Sequence, residues 1–400
     1  MADRLVYVSR LVHLPLLGAD EAEIGRMADV VLGAPAHAAP PVHGFVVEVQ
    51  RRRVFVSGNR VAELAVDGAR LRRGSINMRH FQLHPGETLV VGEIVGRRVR
   101  NERVVDVSIR PAPEASYAWE AATVALGGGG IFGRRRTRRV VAWSEVPELF
   151  ADQGPLARQA ATINLMHPAE MAEAIRALPP ERRRLLAGAL EDERLADLLE
   201  EMPEEEQIRI VEGLDLERAA HVLDAMEADD AADLLSELPT TRRDQLLGAM
   251  DPDEADPVRR LLSYNANTAG GLMTPEPVIM PPTATVAEAL ARIREPDLQP
   301  ALAAQVFVTA PPFETPTGRY IGLSGYQHLL REVPTKPLAR CLDEHPEPIP
   351  VDTPDRVVAA RVAAYDAVAV PVVDAAGRLV GAVTVDDVLD HVMPNDWRGR

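Results

Sequence analysis

Apolar and polar positions follow three different rhythms along the 400-residue chain. Over the first 150 residues the apolar runs are short and end at Gly, Arg or Ser. Phe45-Val46-Val47, Val54-Phe55-Val56 and Leu89-Val90-Val91 are examples, and such runs predict β-strands. Between residues 151 and 262 the rhythm changes. Met166, Leu178, Leu190, Met202, Leu214, Met226, Leu238 and Met250 stand at every twelfth position, each followed by Pro, Asp, Glu or His. Twelve residues are about 3.3 helical turns, so one continuous helix cannot keep these positions on one face. Prolines at 168, 179, 180, 203, 239 and 252 interrupt it in any case. The pattern therefore predicts a stack of short helices, an α-solenoid in which each helix buries its apolar side on its neighbours. The last segment alternates types: helices over 285–294 and 354–365, strands over 305–309 and 367–373.

Two of the three segments repeat internally. In the first, Arg26-Met-Ala-Asp29-Val-Val-Leu32 is echoed by Arg103-Val-Val-Asp106-Val-Ser-Ile109, and Val56-Ser57 to Leu64 loosely by Trp143-Ser144 to Leu149. This predicts two small β-units, residues 1–70 and 71–150. In the last, Glu276-Pro-Val-Ile-Met280 matches Glu347-Pro-Ile-Pro-Val351, and Gly318-Arg-Tyr-Ile-Gly322 matches Gly377-Arg-Leu-Val-Gly381. Two β-α-β-β-α units follow, within residues 263–400.

Composition narrows the function. Apolar residues make up 46% of the chain, enough for packed cores. The single cysteine, Cys341, fits a reducing compartment. No apolar run reaches the ~18 residues of a spanning helix, and the first residues lack a signal-peptide pattern. The expectation is a cytoplasmic chain that does not itself span a membrane. The net charge of −16 is uneven: residues 1–150 carry 21 Arg against 16 acids, and residues 151–262 carry 12 Arg against 27 acids. An acidic middle argues against nucleic acid and for metal cations or basic surfaces. No Ser-His-Asp or Cys-His arrangement and no acid–base pair stands out, so an enzyme is not expected. His13, His37, His43, His80 and His84 show no metal-ligand spacing and read as ordinary. The stretch Gly127 to Arg139, with Ile131 and Phe132 among arginines, lacks the Gly-Lys-Ser/Thr of a phosphate loop and reads as a hairpin loop.

Three resemblances add to this. The β-repeats resemble the PRC-barrel family, small β-barrels that serve mostly as docking modules. Val370-Pro-Val-Val-Asp374 through Thr384-Val-Asp-Asp387 resembles the second half of a CBS motif, within a pair spanning about 272–391. The junction Tyr264-Asn-Ala-Asn-Thr-Ala269-Gly270-Gly271-Leu272-Met273-Thr274-Pro275 resembles that of MgtE magnesium channels, where a helical N domain precedes a CBS pair. The fold class expected is multidomain: two small β-barrel-like units (1–70 and 71–150), an α-solenoid of short helices (151–262) and an α/β CBS-domain pair (263–400).

The CBS resemblance implies an adenine nucleotide such as ATP, held by the Thr384 hydroxyl and the Asp387 carboxylate. In the first CBS unit the same offset falls on Gly325 and His328, which lack those groups. The MgtE resemblance implies Mg²⁺ held between N-domain and CBS acids, which map onto Asp229 and Asp233 and onto Asp366, Asp387 and Asp390. An i, i+4 spacing puts Asp229 and Asp233 on one helix face, and carboxylates are the hard oxygen donors Mg²⁺ prefers. The bland reading of such acids is helix capping. The chain departs from the family after Asp390, where Pro394 replaces an acidic connecting helix, and it carries no pore. The resemblance implies a regulatory protein that senses Mg²⁺, pairs as a homodimer through the CBS pair and docks on a membrane transport protein, peripheral at the membrane. The alternatives are a scaffold without sensing, or a soluble subunit of an ion transporter.

Overall fold

The computed structural model describes residues 5–18, 21–35, 39–72, 81, 83–84, 86–100, 102–112, 118–128, 138–150, 155–295 and 298–393. The arginine-rich stretch 129–137 and His37 and His80 lie outside these residues. The chain divides into two compact units, 1–198 and 199–400.

Among the described residues the first unit opens with strands and one short helical turn. In order they are β1 (Val6–Tyr7), α1 (Val8–Leu11), β2 (Pro15–Leu17), β3 (Glu23–Leu32), β4 (Val42–Val49), β5 (Arg52–Ser57), β6 (Val61–Leu64) and β7 (Ala69–Leu71). The second half supplies β8 (Thr88–Leu89), β9 (Arg98–Val99), β10 (Glu102–Pro111), β11 (Trp119–Gly128) and β12 (Arg138–Ala142). One sheet has the order β5-β4-β3-β2-β7-β6 with β8 on β3, the other β1-β10-β11-β12 with β9 on β10. Neither closes into a barrel among the described residues, so the barrel-like part of the expectation is not confirmed. Val90 and Val91, expected to continue a strand, belong instead to a wide helical turn over Val90–Ile94.

The two halves exchange their beginnings. β1 pairs with β10, and β8 pairs with β3. The two repeated aspartates explain why. Asp29, buried on β3, accepts N–H bonds from Val91 (2.7 Å) and Gly92 (2.9 Å) of the wide turn. Asp106, its echo on β10, accepts from the Ser9 N–H at 3.1 Å and from the Ser9 hydroxyl on α1. Each carboxylate follows a β-bulge in its strand, between Met27 and Asp29 and between Val104 and Asp106. The bulge re-aims the side chain at the helical turn of the other half. One apolar core, from Val8 through Phe45, Ile94 and Trp119 to Leu149, is shared by both sheets.

A run of short helices follows. They are α2 (Pro155–Ile163), α3 (Pro168–Arg176), α4 (Pro180–Ala187), α5 (Asp192–Glu200), α6 (Glu204–Glu212), α7 (Leu216–Ala225), α8 (Ala228–Glu237), α9 (Thr240–Ala249) and α10 (Pro252–Leu261). From α3 onward the helix starts keep the same constant interval that the apolar spacing predicts. Each spacing residue sits two positions before a helix start, and Leu190, Met202, Met226, Leu238 and Met250 are buried there. In unit 1, Ala157 and Ala161 of α2 pack on Ala34 of the β-region. In unit 2, α6 packs on α8, α7 on α9 and α8 on α10.

The second unit continues through α11 (Ala269–Leu272), β13 (Ile279–Met280), α12 (Val286–Ile293), β14 (Gln305–Thr309), β15 (Tyr320–Gly325), α13 (Tyr326–Leu329), β16 (Ile349–Pro350), α14 (Asp355–Tyr365), β17 (Ala369–Val373), β18 (Leu379–Thr384) and α15 (Val385–Val392). Its sheets, β13-β14-β15 and β16-β17-β18, have the same topology: one parallel pair, then one antiparallel pair. They share a small core of Phe307, Leu323, Ala369, Leu379 and Ala382. The Gly-Gly junction is sterically required. A Cβ on Gly270 would meet the Tyr264 ring at 2.8 Å and the Val351 carbonyl at 3.1 Å. The Gly270 N–H donates to that carbonyl, and the Ala269 N–H to the Thr353 carbonyl, stitching the end of the helical array to the second CBS-like unit.

Candidate functional site

The acidic centre of unit 2 is built from two helix beginnings. Asp229 and Asp230 stand in the first turn of α8, and Asp386 and Asp387 in the first turn of α15. Acids are favoured there by the exposed N–H groups and the helix dipole, which accounts for each singly but not for their convergence.

Asp229 is buried, and among the described residues its Oδ1 finds no hydrogen-bond donor. Burial raises its pKa well above the carboxylate range, and the charges of Asp387 and Glu227 raise it further. Asp230 is raised by burial and by Asp229, Glu200 and Glu227. Glu227 is pushed up to about 8, by burial first and then by Glu200, Asp387, Asp386 and Glu276. Donor oxygens of Glu200, Glu227 and Asp230 lie within 4.8 Å of one another. Asp233, one turn beyond Asp229, is raised by loss of water and by Glu204, with His391 opposing.

The structure thus brings Asp233 and Asp387 within electrostatic reach of Asp229. Asp390, on α15 with Asp387, adds to the negative potential there. Asp366 is placed differently: it is exposed and ends α14 in the left-handed conformation, φ 47°. Glu200, Glu227, Asp230 and Asp386 were not singled out from the sequence. Their signal was present in an echo of acids from one helix to the second after it, since Glu200 accepts the Glu227 N–H and Asp224 accepts the Asp251 N–H, both at 2.9 Å.

Such an arrangement is chemically incomplete as a set of anions. Oxygen donors that repel one another, one of them buried and without a donor among the described residues, fit a hard divalent cation that accepts carboxylates and keeps part of its water. Protons would serve the same purpose less specifically.

Thr384 and Asp387 are engaged with each other. The buried Thr384 hydroxyl donates to Asp387 Oδ2 at 2.6 Å, and that oxygen also accepts the Thr384 N–H at 3.0 Å, a capping box at the start of α15. A nucleotide there has to displace or share these bonds. In the first CBS-like unit Gly325 holds the matching position, and Asp343 replaces the missing groups. It accepts the Gly325 N–H at 2.7 Å and pairs with His328.

The reading of His43 as ordinary is corrected by the first unit. There the ring lies between Glu87 and Glu191. Burial opposes a charge on it, but the Glu191 and Glu87 carboxylates prevail and push its pKa up to about 10.

Comparison with known proteins bears on the second half of the chain. The sequence model of the MgtE intracellular N domain matches residues 166–267, and that of the CBS domain matches 330–394. A crystal structure of the cytosolic domain of the Mg²⁺ channel MgtE in complex with ATP superposes at a TM-score of 0.53, with 30% identity over 61% of this chain and 98% of that one. The chain belongs to the MgtE family. A crystal structure of the soluble part of a magnesium transporter agrees, with a TM-score of 0.53 and 26% identity over 59% of this chain and 92% of that one. Magnesium transporter MgtE of Thermus thermophilus is 36% identical over 133 residues, which are 33% of this chain. The MgtE-like chain spans only 28% of that transporter's length. Among its described residues no helix is long and apolar enough to cross a membrane.

Proposed function

We propose that this MgtE-like chain is a cytosolic regulatory protein that senses Mg²⁺ through the acids shared by α8 and α15. The observation that carries the reading is the buried Asp229 carboxylate, facing the charge of Asp387 with no donor for its Oδ1 among the described residues. A divalent cation bound by Asp229, Asp387 and neighbouring Glu227 or Asp230 relieves that repulsion and favours the compact arrangement of unit 2. Without it, the two helix beginnings repel and the unit loosens. The ligand thus shifts a population by its differential affinity for the two states. Asp233 and Asp390 extend the negative field and draw the cation in.

In this reading the β-region docks the sensor on a partner, a membrane transport protein being the natural class, and the CBS pair associates as a homodimer. An adenine nucleotide at Thr384 and Asp387 is a second ligand in this reading, which the existence of an ATP complex of the related cytosolic domain supports.

Limited proteolysis of the purified chain across a Mg²⁺ titration tests the sensor, beside an Asp229→Ala/Asp233→Ala variant. The expected result is protection of the 262–275 junction at millimolar Mg²⁺, lost in the variant. Digestion identical with and without Mg²⁺ sinks the reading. That outcome leaves a scaffold.

A further inference from the structure

In unit 1, His43 lies on β4, Glu87 immediately before β8, and Glu191 immediately before α5. Three distant parts of the chain thus meet at one point. Nδ1 of His43 is 3.2 Å from Glu87 Oε1 and in closer contact with Glu191 Oε1. The three donor atoms lie within 4.8 Å of one another. The side chains are 12%, 4% and 13% exposed, so water supplies little of their solvation.

The imidazole is held in this orientation from behind. A Cβ on Gly33 would fall 1.9 Å from its Nε2, so only glycine leaves room for the ring. With the ring seated there, Nδ1 is the nitrogen facing the carboxylates. Glu87 is also fixed, because its other oxygen accepts the His84 N–H at 2.7 Å. The orientation of Glu87 is therefore set by a contact outside the cluster, as is usual for metal ligands.

Charge supplies the second, independent observation. One imidazole faces two carboxylates, so even its protonated form leaves a negative excess in a largely dry place. A third acid, Glu193, follows two residues after Glu191, and its Oε2 accepts the Ser57 hydroxyl at 2.8 Å. A divalent ion balances Glu87 and Glu191 fully; a proton does not.

We infer that His43, Glu87 and Glu191 form a binding site for a divalent transition metal of the Zn²⁺, Co²⁺ or Mn²⁺ class, which clamps the β-region to the first helices of the solenoid. An imidazole nitrogen with two carboxylate oxygens is a three-ligand set for such ions, with water completing the shell. It is a poor set for Mg²⁺, which takes oxygen donors in near-octahedral geometry. The clamp is thus chemically distinct from the all-oxygen centre of unit 2, and it stands whether or not that centre senses Mg²⁺. Ligation displaces the proton from Nδ1, so metal binding releases it to solvent.

The test is Co²⁺ titration of the full chain in a large excess of Mg²⁺, which saturates oxygen-only sites. Visible absorption reports an ordered nitrogen–oxygen Co²⁺ site. One equivalent per chain is expected, displaced by Zn²⁺, with affinity falling at least tenfold in His43→Gln and in Glu191→Gln and unchanged in Asp229→Asn. If His43→Gln fails to fold, Glu87→Gln carries the comparison. Failure to bind Co²⁺ in the presence of Mg²⁺ overturns the proposal, leaving an imidazolium–carboxylate clamp only. Binding unaffected by both Glu191→Gln and Glu87→Gln overturns it equally.

Discussion

Asp229 holds a charge that its surroundings oppose. It is desolvated, it faces Asp387 and Glu227, and one of its oxygens has no donor among the described residues. Replacing it by Asn removes the repulsion and keeps the shape. Asp229→Asn is therefore expected to stabilise the metal-free protein by about 1–3 kcal/mol, a cost of the size usual for a buried unsatisfied or repelled group. It should also abolish the Mg²⁺ dependence of stability; urea denaturation in chelator and in Mg²⁺ checks both. Glu227 fixes the direction of the pH effect. Its carboxyl titrates near 4.5 when unfolded and near 8 when folded. The folded state then holds the proton more tightly, so the contribution is complete below pH 4.5 and is lost as pH rises toward 8. Melting in chelator should drop across this window, and Mg²⁺ should flatten the drop. Thr384 makes a simpler case. Thr384→Ala removes the hydroxyl from the capping box of α15 and should cost about 1 kcal/mol in denaturation.

The elements of the second half were legible because their signals are local. The regular apolar rhythm places the starts of α3 to α10, and the helix expected over 285–294 is α12, whose N-cap is Thr285. The strands Gln305–Thr309 and Ala369–Val373 stand where the apolar runs lie. The acidic centre was legible in part: Asp229, Asp233 and Asp387 by resemblance, but not Glu200, Glu227 or Asp230, whose meeting depends on the end of α5 reaching the start of α8, three helices further on. His43 was missed because Glu87 lies 44 positions away in the sequence and Glu191 much farther still. Spacing rules detect ligands that share one helix or hairpin, and these share neither. In the β-region the repeat was visible but its meaning was not, since nothing local says that Asp29 caps a turn from the other half. Asp29 is buried and accepts three N–H groups, those of Val30, Val91 and Gly92. Asp106 works closer to solvent. Asp29→Ala should thus cost roughly 2–4 kcal/mol and Asp106→Ala about 1, a ranking that thermal melts of the two variants decide.

At the scale of the whole molecule, the exchange of β1 with α1 for β8 with its wide turn, over one shared core, leads us to expect that residues 1–150 fold as one body. Each half, taken alone, leaves a strand edge and a bulge aspartate without their partners. Fragments cut after Arg72 are expected to remain unfolded separately and to regain sheet structure when mixed, which circular dichroism of the pair against the single fragments would detect. Independent folding of either fragment would contradict the shared core.

The hydrogen bonds from Glu227 to Glu200 and from Asp251 to Asp224 recur two helices apart, and helices pack on their second neighbours. A single helix is thus the letter of this array, but a pair of helices is the word. Lengthening the chain by one helix would put every later helix on the wrong row and turn the Asp229 edge away from its CBS counterpart. Adding two would restore each row. Length variation among chains of this kind is accordingly expected in even numbers of helices, a rule that a collection of sequences can check by counting alone.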